Sequence, residues 1–238
     1  MRAESPVSAA LVAWGNAWLT GHIGLDEAAD HVEEVGGPSV VDATPLRNYL
    51  ADLRLRGAKE FRLALPAPGD PLGLSGPPAF NAAAIDAGQA AIAVLTDGCV
   101  GLVPEADIRG SSYSGTLWTV HEAGPARQDL PSVAEAEQAL AGTIRLATEA
   151  LASVDGPQQS HPQLNPAGGE LAPGYPPRAH RVSALAARLA SALQAAEERG
   201  LTSGQIAARE AALRELDGAV RRAVVAAHHA IFEPSNRS

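Results

Sequence analysis

Asp70, Cys99 and His121 have side chains suited to acid, nucleophile and base chemistry. Asp70 stands in a breaker-rich stretch, Pro66 to Pro78. Cys99 follows an Asp97-Gly98 pair, and His121-Glu122 closes an apolar alternation beginning at Thr116. If the stretch folds over a sheet, Asp70 and His121 form an acid/base pair beside the thiol. Each residue also has a structural use: Asp before Pro forms turns, a small Cys is readily buried, and His ends a strand half exposed.

Other constellations carry less. Glu27, His31 and Glu34 share a helical face and offer metal-ligand types, but no matching Glu-x-x-His set recurs elsewhere, so a solvated acidic face is expected and no metal site is assigned. His228 and His229 are adjacent and point apart on a helix, whereas His229 and Glu233 have contact spacing. Gly110-Ser111-Ser112-Tyr113-Ser114-Gly115 is neither a nucleophile elbow nor a phosphate-binding loop, and no G-x-G-x-x-G follows a strand. No cofactor is expected.

The elements that would hold these residues fall into two groups. Before Pro131, helices are expected over Ser8 to Thr20, Leu25 to Val35 and from Thr44-Pro45 onward, with Leu46, Tyr49, Leu50 and Leu53 on the apolar face of the third. The first is expected to be an ordinary amphipathic helix. Phe61, Leu63 and Leu65 alternate as a strand. Ala91 to Thr96 and Cys99 to Pro104 flank Asp97-Gly98, a pair suited to a hairpin turn with positive φ at both positions, and Thr116 to Glu122 is a fourth strand. Asn81 to Gln89 is expected to form a short helix in a right-handed crossover. In the Pro66 to Pro78 loop, Leu72 and Leu74 either cap the sheet, the favoured reading, or are displayed to a partner.

Beyond Pro131 the pattern is helical. Ser132 and Glu135 have capping-box spacing ahead of Val133, Leu140, Ile144, Ala147 and Leu151. Gly156 to Pro177 reads as a long linker or an exposed loop. Two further helices meet at a hairpin, Gly200 to Ile206, where Thr202 and Gln205 form another capping box. The second arm is long enough for Val220, Val224 and Ile231 to remain as a stripe for a second copy or another protein, or the other helices cover them.

The fold class is therefore α+β: N-terminal helices with a small mixed sheet of about four strands over residues 1–128, then a helical hairpin or three-helix bundle over 129–238. A net charge of −9 argues against nucleic acid as partner, although the chain from Arg178 onward holds nine arginines against six acidic residues. Cys99 is the lone cysteine, and no apolar run is long enough for a membrane span. These features suit a cytoplasmic, non-catalytic interaction or scaffold protein that binds itself or another protein through its C-terminal helices. The alternative is a small-ligand binder or hydrolase-like enzyme with a site between the sheet and the Pro66 to Pro78 loop.

Overall fold

The computed structural model describes residues 6–110, 112–125, 130–152, 169–197 and 206–234. The chain begins with α1 (Val7–Leu19), α2 (Leu25–Gly36), the short strands β1 (Ser39–Val41) and β2 (Thr44–Pro45), and α3 (Leu46–Leu55). Next come β3 (Glu60–Ala64), α4 (Pro78–Ala87), β4 (Ala90–Val94), β5 (Cys99–Arg109) and β6 (Tyr113–Ala123). Three long helices complete it: α5 (Val133–Ala152), α6 (Pro177–Glu197) and α7 (Ile206–His229), with a 3-10 turn at Ala230–Phe232.

The architecture is α+β, with six strands in the order β2-β1-β6-β5-β4-β3. The two strands beyond the expected four, β1 and β2, are too short to show a period. Their turn places Asp42 and Ala43 at φ 44° and 68°. β1 pairs parallel to β6, and every other pairing is antiparallel. The expected crossover through α4 is thus corrected. Ala64 at the end of β3 lies opposite Ala90 at the start of β4, so the chain leaves and re-enters at the same end of the sheet.

The hairpin between β4 and β5 forms with Val94 opposite Cys99, but neither Asp97 nor Gly98 takes positive φ. The Leu95 N–H donates to the Gly98 carbonyl at 2.8 Å, centring the turn on Thr96-Asp97.

α1 is not amphipathic. It is buried on all sides from Val7 to Trp18, as expected for a helix rich in apolar and small residues at every angle. Gly15 lets Phe61 lie against the helix: a Cβ there would sit 2.8 Å from Phe61 Cδ2. Beside it, buried Asn16 clamps the β3 backbone, donating from Nδ2 to the Phe61 carbonyl at 2.8 Å and accepting the Phe61 N–H at 2.6 Å. A neighbouring helix residue thereby satisfies two buried peptide groups.

The Ser132–Glu135 capping box forms as spaced: Glu135 Oε2 accepts the Ser132 N–H at 2.9 Å, and Ser132 Oγ accepts the Glu135 N–H at 3.3 Å. Glu233 also caps α5, accepting the Val133 N–H at 2.8 Å. The capped turn at Gly200 to Gln205 lies outside the described residues. α7 packs against both α5 and α6, and one apolar cluster runs from the sheet and α1 into these helices through Leu140, Val182 and Val220. Among the described residues, no helix is long and apolar enough to cross a membrane.

Candidate functional site

The helices meet around a cavity of about 390 Å³. α1 contributes Ala9, Ala10 and Trp14, and α2 contributes His31, Glu34 and Val35. Opposite them stand Ser183, Ala187 and Ser191 from α6, with Val220, Val224 and His228 from α7. The hollow follows from composition: alanine and serine bring four helices together without filling the space between them. Its volume falls in the range of small-molecule sites and exceeds ordinary packing defects.

Of the polar side chains that line it, Ser183 and His228 are buried. The His228 side chain is buried, being 3% exposed, and its Nδ1 is 2.7 Å from the Val224 carbonyl. A carbonyl only accepts, so Nδ1 carries the proton and Nε2 of the neutral ring is an acceptor. Burial pushes the His228 pKa down to about 4, with the Val224 contact opposing the shift and nearby His229 adding to it. Ser183 is fully buried, and its Oγ has no hydrogen-bond partner among the described residues.

Nearer the solvent, His31 stacks on Trp14 with ring centroids 3.5 Å apart and pairs with Glu34 at 2.8 Å. Arg221 is held by three acceptors: the Leu65 carbonyl at 2.8 Å, Asp217 at 2.9 Å and Asp70 at 3.1 Å. Behind the cavity, the Tyr175 hydroxyl donates to the His228 carbonyl at 3.0 Å. Burial raises the Tyr175 pKa, offset in part by Asn16.

Asp70, Cys99 and His121 do not assemble. Asp70 receives Arg221 and Arg222, the latter at 2.9 Å, and these contacts tie the Pro66 to Pro78 loop to α7. Cys99 and His121 stand on adjacent strands and one sheet face, because Cys99 is opposite Ala123 and Gly101 is opposite His121. Phe80 fills that face: its ring lies where a side chain at position 101 would stand, 5.9 Å from the His121 ring. His121 Nε2 instead meets Thr119 Oγ1 at 3.2 Å.

Leu74 is buried beside Phe80, and Leu72 packs against the larger core, so both fold inward. Val220 is buried, while Val224 and Ile231 are partly buried against the same core. Arg221 and Arg222, two of the arginines beyond Arg178, are ion-paired.

The residues with the strongest claim to a site, Trp14, Ser183 and His228, were not singled out for chemistry by their spacing. Apolar spacing along α6 runs through Val182, Leu185 and Leu189, which pack against the core. The most deeply buried face includes Ala179, Val182, Ser183 and Ala186, where the helix approaches closely through small side chains. A serine within that small-residue register was the available signal.

The sheet, the helices and the cavity define an α+β protein with a pocket between its helices. The chain belongs to the Rv1486c-like protein family, whose N-terminal and C-terminal domain models match residues 8–131 and 134–225. It is similar to two Mycobacterium tuberculosis proteins, uncharacterized protein MT1533 of strain CDC 1551 / Oshkosh and uncharacterized protein Rv1486c of strain ATCC 25618 / H37Rv. The identities are 30% and 29% over 187 residues, covering 62% of this chain and 64% of each relative. The match therefore spans less than two thirds of those relatives' length. No solved structure matches the chain.

Proposed function

We propose that this protein is a non-catalytic binder of a small, mainly apolar molecule held between α1–α2 and α6–α7. The carrying observation is the cavity of about 390 Å³ with a buried serine hydroxyl that lacks a protein partner. Leaving a buried hydroxyl unmet costs free energy that a ligand can return. Catalysis is disfavoured because Ser183 Oγ has no hydrogen bond to His228, and a ring with pKa about 4 is a weak base near neutrality. Lone Cys99 suits a cytoplasmic setting.

Nile red, an uncharged fluorophore of suitable size, tests this reading. Its emission is expected to rise and shift to the blue with the wild type, and Ala190→Trp at the cavity wall is expected to abolish the change. An equal response in the variant places the dye elsewhere and counts against the pocket. A second reading, partner binding through the C-terminal helices, is favoured by Leu146, which is 69% exposed on α5. Light scattering of wild type and Leu146→Glu distinguishes self-association from a strict monomer.

A further inference from the structure

Building on the pocket reading above, we infer that the cavity selects an uncharged or cationic apolar molecule bearing a hydrogen-bond donor, and rejects carboxylates and other anions. Two sets of residues support this selection.

The first set lies deep in the cavity. His228 Nδ1–H is committed to the Val224 carbonyl at 2.7 Å, so its other ring nitrogen offers only a lone pair. A hydroxyl or N–H satisfies that lone pair, whereas an ether or carbonyl oxygen does not. Ser183, fully buried with its Oγ unpartnered, supplies a second polar contact and can donate or accept. Most of the remaining inner lining is apolar, including Ala9, Ala10, Trp14, Val220 and Val224.

The second set is the charged lining. Arg221 is the cation among the described arginine and lysine residues there, and its guanidinium is met by Asp70 and Asp217. Glu34, which pairs with His31, and Glu170 also line the cavity on its exposed side and add negative charge to its approach. An anion entering from water loses hydration and meets these carboxylates without an uncommitted arginine. A neutral donor meets neither obstacle, and a cation loses hydration but is attracted by the carboxylates.

Three matched probes provide the test at pH 7.5: 1-hydroxypyrene, 1-methoxypyrene and 1-pyrenecarboxylate, followed by fluorescence titration of the full chain. The hydroxyl probe is expected to bind about tenfold more tightly than the methoxy probe, the scale of one buried hydrogen bond. The carboxylate is expected to bind most weakly, and the Glu34→Gln/Glu170→Gln double variant to narrow its deficit. His228→Phe, which removes the ring lone pair, is expected to weaken the hydroxyl probe more than the methoxy probe. Equal binding of the hydroxyl and methoxy probes, or tightest binding by the carboxylate, overturns the selectivity while Nile red binding keeps the pocket reading intact. Failure of Nile red and all three pyrenes overturns both.

Discussion

The two faces of the sheet treat histidine in opposite ways. Under α4, His121 lies near Phe80, meets Thr119, and shares a face that Phe80 fills by occupying the space above Gly101. On the other side, His228 is held neutral beside a cavity that alanine-rich helices leave unfilled. One aromatic ring against glycine closes the first face; small residues on opposing helices open the second. Side-chain volume, more than the presence of histidine, separates a packed layer from a candidate site.

Phe80→Ala should erase this contrast most strongly. Creating a void on the packed face is expected to cost about 3–5 kcal/mol, read as a lowered urea midpoint. Acid should strike the opposite face. His228 has its native pKa lowered from an ordinary 6.5 to about 4, so the unfolded chain takes the proton first as pH falls. Its stabilising contribution is fully present above about pH 6.5 and falls by about 3 kcal/mol as pH approaches 4. His229, lowered mainly by burial, shifts in the same direction. Urea titrations at pH 7.5 and 4.5 should show the loss, and His228→Phe should flatten it.

Asn16→Leu should weaken the join between α1 and β3. It strips both Phe61 backbone groups of their clamp and is expected to cost about 2–3 kcal/mol in the same assay. Ser183→Ala should have the smallest effect and the opposite sign. Removing an unpartnered buried hydroxyl is expected to stabilise the ligand-free protein by about 1 kcal/mol while weakening donor-bearing probes. A destabilised Ser183→Ala variant would show that its hydroxyl supports the packed state.

Local rules made much of the fold legible. The Ser132–Glu135 box, the Phe61–Leu63 alternation and the chain reversal before Cys99 depend on neighbours within a few residues. The same rules missed β1, whose three residues acquire strand identity through pairing with β6. They also misread the connection through α4, because handedness follows only after strand direction is known.

The candidate site was least legible because its parts are remote in the chain. Trp14 and His228 line one cavity from opposite ends of the sequence. Asp70 had chemistry-bearing neighbours in the expected reading, yet folding gave it to two arginines on α7.

The sequence by itself determined the helices, most of the strands and the abundance of small side chains, since propensity, period and capping act locally. Tertiary structure alone decided which face was filled and which remained hollow. A cavity is the volume left between surfaces, and that volume exists only after distant segments have been brought together.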